Sequence, residues 1–93
     1  MLNIQRSSNG EVVFTLIGRI EIEHVAELQR LFDIEDAGQA IALDLHEVTL
    51  IDRDVVKFLA RYEAQNIRLA NCPAYIRESI VSERRRNKQL ELL

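Results

Sequence analysis

The hydrophobic period of the chain changes between Ile41 and Tyr62, and the change falls on an acidic turn. Ile41, Leu43 and Leu45 hold alternate positions, the period of a strand. Val48, Leu50 and Ile51 carry the apolar character up to Asp52. After Asp54, the residues Val55, Phe58, Leu59 and Tyr62 form a helical stripe. A chain that makes this switch must leave a strand and enter a helix within a few residues. Asp52 and Asp54 stand where an N-cap and a first turn favour oxygen acceptors and negative charge. A helix N-terminus at the end of a buried strand is also a natural place for an anion or a partner. From the residues alone both uses are open.

The flanking sequence repeats the theme. Leu2 and Ile4 alternate with polar residues and predict a short first strand. Ser7-Ser8-Asn9-Gly10 is a turn with the Asn-Gly hairpin signal. Glu11 to Ile17 is β-branched and apolar, a second strand antiparallel to the first, and Gly18 is expected to end it. A helix is predicted from Glu23 to Phe32, with Val25, Leu28, Leu31 and Phe32 inward and Glu23, Glu27 and Arg30 in solvent. Its exit loop runs through Gly38. A third strand spans about Ala40 to Leu45 and a second helix Arg53 to Ala64, with Asn66 as terminator. Ile67 to Ala70 is a fourth strand. Asn71 or Cys72 caps a third helix, Pro73 suits its first turn, and Ile76, Ile80 and Val81 face inward. Leu90, Leu92 and Leu93 extend that helix or form an apolar tail. The order β-β-α-β-α-β-α predicts one α/β domain over residues 1–93. Its core is a small mixed four-stranded sheet covered by helices.

Composition narrows the function classes. A 93-residue chain with 47% hydrophobic residues has one core to fill. No apolar run approaches the roughly 20 residues that cross a bilayer, and the first residues lack a signal-peptide layout, so a cytoplasmic protein without membrane insertion is expected. Cys72 is the single cysteine, which rules out an intrachain disulfide. The net charge is −3, unevenly spread. Residues 77–93 hold five bases and three acids, +2, which leaves −5 on the first 76. An acidic body argues against a nucleic-acid binder, and Arg84-Arg85-Arg86 reads as a solvated helix face.

Chemistry-bearing residues are few. Asp44, His46, Asp52 and Asp54 include types that ligate divalent ions, but no fixed ligand motif accompanies them, so no metal is expected. His46 is read as a water-exposed strand-end residue and His24 as a helix-surface one. Cys72 at a helix start invites a lowered thiol pKa, yet it has no catalytic partner in sequence and reads as a small buried cap residue. Glu21, Asp44 and Asp52 are three carboxylates placed near one sheet end, for capping and loop hydrogen bonds or for a partner. No catalytic triad and no Gly-rich phosphate loop is evident, so neither an enzyme nor a cofactor is expected.

With these segments in order, the chain resembles the STAS domain family, named for sulfate transporters and anti-sigma-factor antagonists. Phe14-Thr15-Leu16-Ile17-Gly18-Arg19-Ile20-Glu21 looks like the family's second strand and its end. Ala42-Leu43-Asp44-Leu45-His46-Glu47-Val48-Thr49-Leu50-Ile51-Asp52 looks like its Leu-Asp-Leu-Ser-x-Val-x-x-Ile-Asp segment. Ile67-Arg68-Leu69-Ala70-Asn71 with Tyr75-Ile76-Arg77 looks like its last strand and closing helix. The resemblance implies a bacterial regulatory module that works by binding. A kinase-like anti-sigma factor is its partner, and it phosphorylates a Ser or Thr directly after the Asp matched by Asp52. Here that position is Arg53, the next is Asp54, and the usual Gly is Val55. The phosphorylation switch in the family's form is therefore absent.

The expectation is a non-enzymatic protein-binding module whose surface combines Glu21, Asp52, Arg53, Asp54, Lys57 and Arg61. Glu21 and Asp54 supply charge complementarity, and Arg53 a pair for a partner carboxylate. The alternative is a structural accessory subunit, of a homodimer or of a transport complex, motivated by Leu90, Leu92 and Leu93.

Overall fold

The computed structural model describes residues 2–91, with side chains described for residues 2–86. Leu92 and Leu93 of the expected apolar tail lie outside the described residues, as does the side chain of Leu90. The elements follow the expected order: β1 (Leu2–Asn9), β2 (Glu11–Ile20), α1 (His24–Ile34), β3 (Ile41–Ile51), α2 (Arg53–Ala64), β4 (Ile67–Ala70) and α3 (Ala74–Glu91). The sheet has four strands in the order β1-β2-β3-β4. β1 runs antiparallel to β2, and β2, β3 and β4 run parallel. The short connection at Gly10, at φ 81°, permits only the antiparallel pairing, while α1 and α2 are the crossovers that parallel strands need.

Three strands are longer than the sequence suggested. β1 runs on through Ser7, Ser8 and Asn9, expected in the turn, and pairs Asn9 with Glu11 across Gly10. β2 passes through Gly18 and ends at Ile20; Gly18, at φ 107°, sits inside the strand beside a register shift rather than ending it. β3 runs on to Ile51 because it accommodates extra residues against β2: Thr15 pairs with Asp44 and Ile17 with Glu47, then Gly18 with Val48 and Arg19 with Leu50. The bulges put His46 and Glu47 side by side in solvent, so the alternation that marks a strand disappears from the sequence. His46 is exposed as expected, but lies in mid-strand.

One sheet face is the core face. Val12, Phe14, Leu16 and Ile20 of β2, Leu43, Leu45 and Val48 of β3, and Ile67 and Leu69 of β4 are buried there. Val25, Leu28 and Phe32 of α1, Val55, Val56, Leu59 and Tyr62 of α2, and Ile76 and Ile80 of α3 complete the same cluster. Phe32 meets both Phe14 and Tyr62 edge to face, with ring centroids 5.7 and 5.0 Å apart. The inward stripe of α3 continues from Ile80 to Glu83, which is buried, whereas Val81, expected inward, is exposed. The positions one and three residues after Ile80 lie on different sides of a helix, and only the latter keeps the seam of Ile76 and Ile80. Glu63 of α2 ties the helices together by accepting from Arg77 Nη1 at 2.8 Å and Arg84 Nη2 at 2.6 Å.

Candidate functional site

The β3–α2 turn is built on Asp52. Its backbone takes the extended N-cap conformation, φ −68° and ψ 147°, and its carbonyl accepts the Val55 N–H at 2.9 Å. The carboxylate makes no side-chain cap bond. It turns instead to the β2–α1 loop: Arg19 Nη2 donates to Oδ1 at 3.1 Å and the Ile22 N–H donates to Oδ2 at 3.3 Å. Of the capping and loop hydrogen bonding expected of this side chain, the loop bond is present and the cap bond is not, because a guanidinium and a loop N–H compete for the same oxygens and one of them is charged. The Asp52 N–H donates to the Ile20 carbonyl at 3.0 Å, so the two loops are joined by backbone as well.

Glu21 belongs to the same assembly. Arg19 Nε stands 3.6 Å from Glu21 Oε1, so this arginine joins Glu21 to Asp52. The Glu21 N–H donates to His24 Nδ1 at 2.9 Å, which makes His24 a half-buried acceptor at the start of α1 rather than a surface residue. Arg19 was not singled out by itself in the sequence; only the fold brings it across 33 positions to Asp52.

Arg53, Asp54, Lys57 and Arg61 all lie exposed on α2. Arg53, Lys57 and Arg61 recur every four residues and so share one side of the helix. The Arg61 guanidinium lies over the Phe58 ring, 5.4 Å from its centroid. Beside Arg53 opens a cleft of about 610 Å³, bordered by Leu50 and Ile51 of β3, Val56 of α2, and Tyr75, Ser79 and Glu83 of α3. Leu50 and Tyr75 are 48% and 45% exposed, large apolar side chains in water at the edge of a charged turn. Sequence reasoning missed this cleft, since Leu50 reads as part of an apolar connection after the third strand and Tyr75 as part of a closing helix.

Asp44 is elsewhere, on the sheet face away from the core. Its Oδ1 accepts from the His46 N–H at 3.1 Å and from Asn71 Nδ2 at 3.2 Å, and lies 2.8 Å from His46 Nδ1. Burial pushes the Asp44 carboxyl up, but the bonds from His46 and Asn71 outweigh it and hold it below its ordinary value. The same bond raises the His46 imidazole. Asp44 therefore does not join Glu21 and Asp52 in one carboxylate group. Among the described residues no three His, Cys, Asp or Glu side chains converge as a metal site would require. Cys72 is half-buried, and burial pushes its thiol up rather than down, with Sγ 3.7 Å from the Pro73 carbonyl.

No helix among the described residues is long and apolar enough to cross a membrane. In comparison with known proteins, the chain matches no family model and no curated protein.

Proposed function

We propose that this domain is a non-enzymatic regulatory module of the STAS type. It binds a protein partner, as anti-sigma-factor antagonists do, without a phosphorylatable residue in the switch turn. The observation that carries the reading is the Arg19–Asp52–Ile22 clamp. It fixes the β3–α2 turn and leaves Arg53, Asp54, Lys57 and Arg61 exposed beside the cleft. A rigid turn that presents charge outward at the end of parallel strands is suited to docking. Arg53 takes the place of the family's phosphate acceptor, so release of the partner, a kinase-like anti-sigma factor in this reading, requires a different signal. The setting is cytoplasmic.

Affinity capture of the intact protein from its own cell extract, with partners identified by mass spectrometry, tests the proposal. The wild type is expected to retain an ATP-binding, kinase-like protein, and Arg53→Glu with Asp54→Lys to lose it. If that double variant leaves every native complex intact, the surface is misassigned.

The accessory-subunit reading draws on β1, an edge strand that among the described residues pairs with β2 alone. Light scattering of the full chain and of a chain lacking residues 87–93 separates the two. A mass that falls on truncation favours the accessory subunit, and an unchanged monomer mass removes it.

A further inference from the structure

Among the described residues the cations divide into two sets, apart from Arg86, which stands 3.7 Å from Glu83. Arg6, Arg19, Arg68, Arg77 and Arg84 each lie within 3.1 Å of a carboxylate oxygen. Arg53, Lys57 and Arg61 form no ion pair with any carboxylate among the described residues. Arg30 and Arg85 also lack one, but stand singly on α1 and α3. The unpaired three form a row on α2 about 12 Å long, at the α-helical rise. The row lies in the basic part of an otherwise acidic chain: residues 1–52 hold three bases and ten acids, −7, and residues 53–86 eight bases and four acids, +4.

We propose that this row, with the cleft at its Arg53 end, is the docking site for an acidic helical segment of another protein. The inference rests on the protein-binding reading above and adds the partner's polarity and shape. Carboxylates at four-residue spacing on a helix recur about every 6 Å, the same interval as Arg53, Lys57 and Arg61, so three pairs form in register. An apolar residue flanking the acidic row enters the cleft between Leu50 and Tyr75, whose exposure is otherwise unexplained. A nucleic-acid strand fits less well. Asp54 flanks the row, Glu78 and Glu83 line the cleft beside Arg86, and residues 1–52, at −7, repel a polyanion.

The probe is a synthetic fluorescein-labelled helical peptide with glutamate at every fourth position and a flanking leucine. Its binding to the full-length protein is followed by fluorescence anisotropy. Affinity is expected to weaken about tenfold between about 50 mM and about 500 mM NaCl, as exposed charge pairs do. A peptide with glutamine for each glutamate, or the variant Arg53→Gln, Lys57→Gln, Arg61→Gln, is expected to lose about tenfold. These side chains are exposed, so an unchanged circular-dichroism melt shows that the variant still folds. Leu50→Ser with Tyr75→Ser is expected to weaken binding about threefold with the salt dependence preserved. Equal affinity for the glutamate and glutamine peptides overturns the inference, and so does tighter binding of an oligothymidylate than of the acidic peptide. The parent reading fails separately. A native complex that survives the triple glutamine variant sinks only the polarity. Row-dependent peptide binding by a protein that captures no native partner sinks the regulatory reading and leaves the polarity standing.

Discussion

The two faces of the sheet are made by the same strands and held by different forces. On the core face, Phe14 pairs with Leu43 and Leu43 with Leu69, three adjacent side chains under the helices. On the other face, Val13 pairs with Ala42 and Ala42 with Arg68, and the Arg68 guanidinium reaches Glu11 at 2.6 Å. Asp44, His46 and Asn71 form a hydrogen-bonded group on that same face. Val13 and Ile17 stay outside the packed core. The first face is non-directional and dry, and its worth scales with area removed from water. The second is directional and wet, and its charges are screened. Stability should therefore follow the first face, and response to salt and pH the second.

The largest test of that division is Leu43→Ala. Leu43 is fully buried at the centre of the core face, so the truncation should destabilise by about 3 kcal/mol through lost transfer energy and a residual cavity. Urea unfolding measures it. Arg68→Ala on the opposite face should leave the urea midpoint within error, since its partner is partly exposed and the pair stands in water. Equal losses from the two substitutions would erase the distinction between the faces.

Asp52→Asn should lie between them, at about 1 kcal/mol, because it removes one charge-assisted bond to a half-exposed arginine and keeps the backbone bonds of the turn. Its functional effect should be greater than its effect on stability. A loosened clamp frees the β2–α1 loop from the turn, so partner capture should fall while the melting temperature changes by only a few degrees. A large fall in melting temperature would mean that the clamp is part of the core rather than of the site.

Tyr62→Phe probes a polar atom on the wrong side of the division. The Tyr62 hydroxyl is buried on the core face with no hydrogen-bond partner among the described residues, and burial raises its pKa. An unsatisfied hydroxyl in a dry core costs free energy, so phenylalanine should be neutral or stabilise by up to about 1 kcal/mol. A loss of more than that would show that an ordered water or another group bonds to the hydroxyl in solution.

The core face was also the legible one. Arg53–Ala64 and Ile67–Ala70 have the bounds their sequence suggests, because Val55, Leu59 and Tyr62 keep a clean helical period and Ile67 and Leu69 a clean alternation. Where bulges intervene, the period fails: His46 and Glu47 point outward together, so the second half of β3 reads as a connection. Gly18 reads as a stop because glycine breaks strands, yet here its positive φ lets a strand pass a register shift. The site was legible only as a set of charges. Asp52 was found by its place at a helix start, but its partners Arg19 and Ile22 are long-range and leave no local pattern. The cleft at Leu50 and Tyr75 depends on how α3 lies against β3 and α2, which no period encodes.

The smallest expected effect is the response of the open face to pH. The Asp44 hydrogen bond raises the His46 imidazole above its ordinary 6.5, so the folded protein holds that proton more tightly than the unfolded chain. The stability from this group is fully present below 6.5 and is lost as pH rises through the raised value. Asp44 works in the opposite sense: held below its ordinary 3.8, it contributes above that value and loses the contribution as pH falls through the lowered one. The pair is therefore at its strongest between the two, with His46 charged and Asp44 ionised. His46 is largely in solvent, so the step should be small, visible as a shallow fall in urea midpoint from pH 6 to 8 that His46→Gln flattens. A proton NMR titration of His46 should give a midpoint above 6.5 in the wild type and a lower one in Asp44→Asn. A midpoint unmoved by Asp44→Asn would mean that water screens the pair completely and that this face takes no part in pH response. The core-face substitution Leu43→Ala should leave the same midpoint unchanged. A shift there would show that the two faces are coupled through β3 and that their separation is incomplete.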